Sequence, residues 1–398
     1  MIVMKLLRDC IIPLLIMLSL YLYEASAMRN VAMISFMEYE SGAESVHSII
    51  LLTAACLLYL FLIILCHQRR VFNKAEKPLL RFLIYTLVIS YLWSIIIPFQ
   101  SRITCLTTLL PLLFFFSWRR ILPSSKTQYL HLGVLLFFML MVYQYAINYS
   151  QVLFLGSDTT ANNASYFILY LVPFLLCLEN KAVKIFSIII SGVVVVSSFK
   201  RGGTIAFSLA CIVYYLLRSA GQQNRGKKIW SFVLLSIFAL CFATYLLSTD
   251  NAVISHLFER FTNIKQDNGS GRTEAFFVTI KMFSQSDIIP MVFGHGWNMV
   301  ERESPLRISA HNDFLECMYD FGIIGIILLV NLLWKLFKFC HRLYKDKNKY
   351  AAPFAASLVI FVCNSMVSHI IIYPYYWVIF VLFWTYIFVS TTPNMKTR

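Results

Sequence analysis

The sequence predicts an all-α, polytopic membrane protein built as one domain. Hydrophobic residues make up 59% of the 398 residues, charged residues only 13%, and the mean hydropathy is +0.71. Soluble globular domains carry about 25% charged residues, so this composition lies far from theirs. The sequence has no linker rich in Gly, Ser or Pro and no internal repeat of about 20–50 residues. Residues 1–398 are therefore predicted to form a single integral membrane domain.

Twelve apolar runs are predicted to be transmembrane helices. A bilayer core about 30 Å thick needs roughly 20 apolar residues per helix, and several of the runs are shorter than that. An even number of spans places both termini on the same side of the membrane. The runs lie at 10–27, 48–66, 79–97, 103–117, 128–147, 166–178, 185–199, 203–217, 229–248, 315–334, 351–367 and 375–390.

The distribution of charge predicts which side faces the cytoplasm. With both termini inside, the inner loops and termini carry 24 of the 34 Lys and Arg residues but only 4 of the 19 Asp and Glu residues. Cytoplasmic loops of membrane proteins are enriched in Lys and Arg, so both termini are predicted to be cytoplasmic. The net charge of +15 is then a topology signal at the bilayer surface rather than a nucleic-acid-binding surface.

The first apolar run allows a second interpretation. Lys5 and Arg8 precede it, and Ala25 and Ala27 follow it in the pattern of a secretory signal peptide. Its removal would leave eleven spans. Retention of this run is favoured, because the basic loops all fall on the cytoplasmic side only when twelve spans are counted.

The sequence lacks the motifs of several enzyme classes. It has no GxxxxGK[ST] phosphate loop, no GxGxxG after a strand, no HExxH and no GxSxG, which argues against ATPases, dinucleotide enzymes, zinc proteases and α/β-hydrolases. The 10 cysteines include no CxxC pair and no zinc-ligand spacing. We therefore expect no cofactor and no metal site.

Two cations follow a short apolar run on the predicted outer side. The run Ile185–Phe199 would span about 22 Å as a helix, so Lys200 and Arg201 are expected below the outer membrane surface. A cation at this depth costs roughly 2.5–3.5 kcal/mol on insertion scales and persists where it meets an anion or a wet cavity. Gly202 and Gly203 allow a close backbone approach there. The alternative is a pair of side chains that snorkel to the surface from a helix end.

The longest loop, residues 249–314, is predicted to lie outside and to carry short amphipathic helices. One is predicted in "VISHLFERFTNI" and another in "GRTEAFFVTIKMF", both along the membrane interface. The turn "DNGSG" between them brings Arg272 to a helix start. From Thr249 to Asp320 there are 6 Lys and Arg residues against 10 Asp and Glu residues, so single guanidinium groups would have to bind any anion.

The stretch "SAHNDFLECMYDFGIIG", Ser309–Gly325, joins a polar string directly to an apolar one. Asp313 followed by Glu316 fits a capping pattern, so a helix is predicted to begin near Asp313. Helical spacing places Asp313, Glu316 and Asp320 on one face, and the helix is predicted to become a membrane span at Gly322.

His311 and Asn312 precede this helix and are expected at its mouth. A helix N-terminus favours anions, and histidine is the side chain best suited to proton transfer near neutral pH. The residues alone leave an alternative equally open, in which Asn312 caps the helix and His311 has no chemical role.

Four stretches together resemble the O-antigen polymerase and O-antigen ligase superfamily of bacterial envelopes. They are "SFKRGG", "SGRTEAF", "PMVFGHGWN" and "HNDFLECMYDFGIIG", in that order and on the predicted outer side. The resemblance implies a GT-C-like membrane fold and a metal-independent glycosyltransferase that uses glycans linked to undecaprenyl diphosphate. It also implies a multi-pass protein of the bacterial inner membrane, with the active site facing the periplasm.

Matching these motifs also implies roles for individual residues. The catalytic residues would be His311, Arg272 and Arg201. The two arginines would hold the diphosphate leaving group, and the histidine would assist the acceptor hydroxyl or the departing phosphate. Further candidates for contacts to the diphosphate or glycan are Lys200, Asn312 and His295.

The forms of two motifs favour a polymerase of repeat units over a ligase. Lys200 before Arg201, and the acidic residues of "HNDFLE", look more like polymerases, whereas ligases are associated with "SRG" and a less acidic stretch. The expected partners are an undecaprenyl-diphosphate-linked oligosaccharide, membrane lipid and a chain-length regulator protein, with no nucleic acid. A ligase stays open as the alternative, and a polysaccharide flippase or other transporter is the rival of a different class.

Overall fold

The computed structural model describes residues 18, 20–21, 46–65, 72, 74–96, 101–121, 127–154, 163–198, 200–219 and 272–391. Regular structure within these ranges is entirely helical, which confirms the predicted all-α class. The helices are α1 Val46–Leu65, α2 Glu76–Ile96, α3 Ser101–Ile121, α4 Thr127–Phe154, α5 Asn163–Leu176, α6 Lys181–Ser197, α7 Arg201–Ser219, α8 Arg272–Ser284, α9 Ile288–Phe293, α10 Met299–Glu303, α11 Asp313–Lys345, α12 Ala351–Val367 and α13 Pro374–Thr391.

Three helices of the described residues are long and apolar enough to cross a membrane: α7, α11 and the segment Leu130–Ile147 of α4. Shorter apolar helices accompany them at Thr108–Arg119, Ala164–Leu176, Ala351–Val367 and Tyr375–Thr391. Together with the composition, these helices indicate a multi-pass membrane protein.

Ten of the twelve predicted runs overlap one of these helices. The run at 229–248 lies outside the described residues, as does nearly all of the run at 10–27. The count of twelve spans therefore stays a prediction. In the long loop, the helix predicted in "VISHLFERFTNI" also lies outside the described residues. A helix is present from Arg272 onward, as α8, and its predicted place at the membrane interface stays a prediction.

Helix α13 lies within the bundle because it is apolar on every side. Every residue from Tyr376 to Val389 is buried, and the helix packs against α3, α5 and α12. Helices α7 and α12 form an extensive pair, in which Gly202 of α7 lies directly against Val367 of α12. Small residues let two helix backbones approach closely in a membrane. This packing fixes the turn between α12 and α13 beside the start of α7.

Helix α11 is broken at Gly322, where the sequence predicted the change from a polar to an apolar helix. Gly322 has φ 67° and ψ −169°, a conformation that is essentially confined to glycine. The break removes the intrahelical partners of the carbonyls that precede it. Backbone N–H groups of His295 and Gly296 replace them, donating to Tyr319 O at 3.1 Å and Asp320 O at 2.9 Å. The polar backbone at the break is thus satisfied, as an apolar environment requires.

The segment that fills this break is held by α2. The Trp93 indole donates from Nε1 to Gly294 O at 3.1 Å, and the Tyr85 hydroxyl lies 3.2 Å from Phe293 O and 3.0 Å from Phe321 O. The motif "FGHG" is therefore a structural insert between α2 and the break of α11.

We expect Gly322→Ala to destabilise the protein by at least about 1–3 kcal/mol, the cost of placing a side chain in this backbone region. The new Cβ would also collide with Val292 O and Gly294 N. The apparent melting temperature of detergent-solubilised protein measures this effect. The matched control is Gly192→Ala in α6, whose Cβ would meet only the Phe207 ring, at 3.2 Å. Equal melting of Gly322→Ala and wild type would show that the break tolerates a side chain.

Candidate functional site

Helix α11 begins at Asp313, as predicted, but its N-cap is Asn312. The Asn312 side chain accepts from the backbone N–H groups of Phe314 and Leu315 at 2.9 and 3.1 Å. Its Nδ2 donates to Met366 O at 3.1 Å. The oxygen of this amide therefore caps α11, and its nitrogen ties the mouth of α11 to the end of α12. A contact from Asn312 to substrate stays a prediction.

Asp313 fixes the turn that follows α12. Its buried carboxylate accepts from the backbone N–H of Ile370 at 2.9 Å, from that of Ile371 at 3.0 Å and from the Ser365 hydroxyl at 2.7 Å. These hydrogen bonds hold the turn after α12 against the first residue of α11.

The other two acidic residues of the same face also accept hydrogen bonds from backbone N–H groups. The Glu316 carboxylate accepts from the backbone N–H of Ala310. The Asp320 carboxylate accepts from the backbone of residues 298–300, at 2.7, 3.0 and 3.3 Å, where α10 begins. The acidic face of α11 is therefore buried and binds backbone from three loops.

His311 and His369 stack at the centre of this framework. Their ring centroids are 4.7 Å apart with 25° between the planes. His311 is half-buried and has φ 50°, whereas His369 is buried in the turn between α12 and α13. The Ser309 hydroxyl lies 3.3 Å from His369 Nδ1, and the Tyr373 ring meets His369 edge-on at 4.4 Å.

Arg272 and Lys200 act electrostatically on this histidine pair. Burial and the charge of Arg272 lower the pKa of His311 to about 4. Burial lowers the pKa of His369 well below its usual value, and the charges of His311, Arg272 and Lys200 lower it further. Both imidazoles are therefore neutral near pH 7, and a neutral imidazole can accept a proton.

The cations come from the starts of two helices. Arg272 is the first residue of α8 and Arg201 the first residue of α7, and both are half-buried. Lys200 precedes Arg201, and its Nζ lies 4.1 Å from the centre of the Tyr166 ring. A guanidinium group can bind phosphate oxygens in a bidentate manner, so Arg272 and Arg201 are the groups best suited to an anion here.

Part of the chain that carries this site matches a known protein family. Residues 186–330 match the O-antigen ligase family. The match is consistent with the O-antigen polymerase and ligase superfamily and confirms the resemblance drawn from the motifs. It includes every candidate site residue predicted from the sequence, namely Lys200, Arg201, Arg272, His295, His311 and Asn312. Comparison of the chain with curated proteins gave no match.

His295 lies within the matched region, at the break of α11. Its ring stacks on Tyr319 with the centroids 4.0 Å apart and 4° between the planes, and Nδ1 lies 3.1 Å from Tyr319 O. At 1.5 Å per residue, Tyr319 is about 9 Å along the helix from Asp313, so His295 lies away from the mouth of α11. These contacts give His295 a structural place, and its contact with substrate stays a prediction.

His369 and Tyr373 lie beyond the matched region, and the sequence did not single out His369. Its neighbours do carry a signal, since Asn364, Ser365 and Ser368 interrupt an apolar segment just before it. No group of three or more His, Cys, Asp and Glu side chains among the described residues is arranged to hold a metal ion.

Proposed function

We propose that the protein polymerises O-antigen repeat units at the periplasmic face of the bacterial inner membrane. It would move a glycan from one undecaprenyl diphosphate carrier to the terminal sugar of another lipid-linked unit. The observation that carries the proposal is His311, which lies within the region that matches the O-antigen ligase family, stacks on His369 and is kept neutral by burial and by the charge of Arg272. A base next to a phosphate-binding cation is the pair of groups that this transfer needs.

The reaction forms one glycosidic bond and breaks one bond to phosphate. A hydroxyl of the acceptor sugar attacks the anomeric carbon of the donor glycan, while the bond from that carbon to the diphosphate oxygen breaks. His311 accepts the hydroxyl proton, and the undecaprenyl diphosphate leaves with the bonding electron pair. Arg201 and Arg272 hold the charge that develops on the leaving oxygen, so no metal ion is required for that task.

Substrate binding strengthens the base in this scheme. In the free protein the charge of Arg272 opposes protonation of His311. A diphosphate on Arg272 supplies negative charge that offsets this effect, so the pKa of His311 rises when the donor is in place. Proton transfer to His311 is therefore favoured in the complex with substrate.

A ligase is the second candidate, because the matching family is described as O-antigen ligase. A ligase would use the same donor and leaving group but would transfer the finished glycan to the lipid A core. The polymerase is favoured by Lys200 before Arg201 and by the acidic "HNDFLE". Membrane lipid and a chain-length regulator protein are the further partners that polymerisation implies.

Deletion of the gene separates the two activities on a lipopolysaccharide gel. Loss of a polymerase should leave the lipid core capped by a single repeat unit, because the cell's ligase still works. Loss of a ligase should leave a bare core and polymer on the lipid carrier. Complementation with the wild-type gene should restore the ladder, and the His311→Ala gene should not. Unchanged lipopolysaccharide after deletion would rule out both activities in O-antigen synthesis.

A further inference from the structure

His369 is held on three sides, although the proposed chemistry assigns it no step. Only 6% of its surface is exposed. One face of its ring lies on His311, the Tyr373 ring lies nearly perpendicular to it with the centroids 4.4 Å apart, and Nδ1 is within hydrogen-bonding distance of the Ser309 hydroxyl. A side chain so enclosed has little access to a substrate, so its effect on the reaction must pass through His311.

The backbone on either side of the pair is fixed by the start of α11. Asp313 binds the N–H groups of Ile370 and Ile371, directly after His369, and Asn312 binds the carbonyl of Met366, just before it. His311 itself has φ 50°, which is uncommon for a residue other than glycine. Such a conformation persists where the surroundings over-determine it, and it is characteristic of functional sites.

We propose that His369 is a positioning residue for the glycosyl transfer, which holds the His311 imidazole in one orientation by stacking against it. The inference rests on the proposed role of His311 as the base. It also explains why the partner is a histidine, since a Phe ring would stack but would lack the nitrogen that Ser309 contacts. Fixing that nitrogen fixes the rotation of the His369 ring and hence the face it offers to His311.

The groups that face the pair come from four elements. Arg272 at the start of α8 and Lys200 before α7 act on His369 by their charge. Asp313 of α11 binds the backbone that follows His369, and Tyr373 contacts the His369 ring within the same turn. A proton on either imidazole opposes a proton on the other, so the pair accepts one proton at a time. Because His369 is the more deeply buried of the two, that proton goes to His311.

The test is a double-mutant cycle with purified protein and a lipid-linked repeat unit as donor and acceptor. His369→Ala should lower kcat by about 10–100-fold with little change in KM, since a misplaced catalytic group can cost about 10²-fold. His369→Phe keeps the stack and should lose less. In the His311→Gln background, His369→Ala should have no further effect, because its partner is already gone. His341→Phe, an exposed position near the far end of α11, is the control and should match wild type.

The outcomes separate this inference from the proposed function. An equal fold-loss from His369→Ala in both backgrounds would indicate a general structural role and overturn the inference. Normal turnover of His369→Ala, with His311→Ala inactive, would overturn it and leave the proposed function standing. Full activity of His311→Ala would instead overturn the role of His311 as the base.

For variants that turn over too slowly to compare, an NMR measurement reports the contact between the two rings directly. The His311 ring-proton NMR signals are assigned by their loss in His311→Gln. They should move in His369→Ala, because the ring current of the stacked imidazole disappears, and should move less in His369→Phe. Signals that stay in place in both variants would show that His369 does not hold the His311 ring.

Discussion

His311→Ala is expected to lower the rate of glycosyl transfer by about 10²–10⁴-fold, the usual contribution of a proton-transfer group. The reason is the position of His311, half-buried at the mouth of α11, where the charge of Arg272 helps to keep its imidazole neutral. Turnover of a lipid-linked repeat unit by purified protein measures the loss, with protein amount in the membrane as the control. His311→Gln can retain a hydrogen bond but cannot accept the proton at neutral pH. Full activity in the Gln variant would reduce His311 to a positioning role.

The same histidine sets the expected response to pH. Its pKa is lowered to about 4, and the neutral form is the base. The value of kcat/KM, which reports the free enzyme, should therefore stay level as pH falls from 7 to about 5 and drop only as pH approaches 4. The residual kcat/KM of His311→Gln should not show this drop near pH 4. A drop near the ordinary histidine pKa of about 6.5 would show that Arg272 and burial do not control the group.

The start of α11 could be predicted from sequence because its signals are local. Asn312 is a good N-cap, the acidic residues repeat at helical spacing, and Gly322 marks the change to an apolar helix. The partners of these acidic residues could not be predicted in the same way. Asp313 binds Ile370 and Ile371, which are more than fifty residues away along the chain, and only the packing of α12 against α11 brings them together.

The same difference between local signals and long-range contacts applies to the residues of the candidate site. Arg272 and His311 could be selected because each is an isolated polar residue at a helix start in a distinctive motif. His369 could not, since a lone histidine in "VSHIIIYPYY" is consistent with a simple surface turn. Its role depends on the ring contact with His311, which is a property of the fold and not of either local sequence.

Arg272→Ala is expected to lower activity by about 10²–10³-fold, the range seen when one group that stabilises a developing oxyanion is removed. Arg272 starts α8, and its charge acts on both His311 and His369, so it is the cation best placed to hold a leaving diphosphate beside the base. Lys281→Ala removes one positive charge from the exposed side of the same helix and should leave activity near wild type. Equal activity of the two variants would show that position 272 contributes only to overall charge.

Arg272→Lys tests whether geometry matters beyond charge. Lysine keeps the positive charge but cannot make the two parallel hydrogen bonds of a guanidinium group, so much of the activity should still be lost. Lys200→Ala should be milder, since the Lys200 ammonium already rests on the Tyr166 ring. Rates measured with the lipid-linked donor give the order wild type, Lys200→Ala, Arg272→Lys, Arg272→Ala. If Arg272→Lys kept the full rate, a point charge would suffice at this position and bidentate binding of the diphosphate would be wrong.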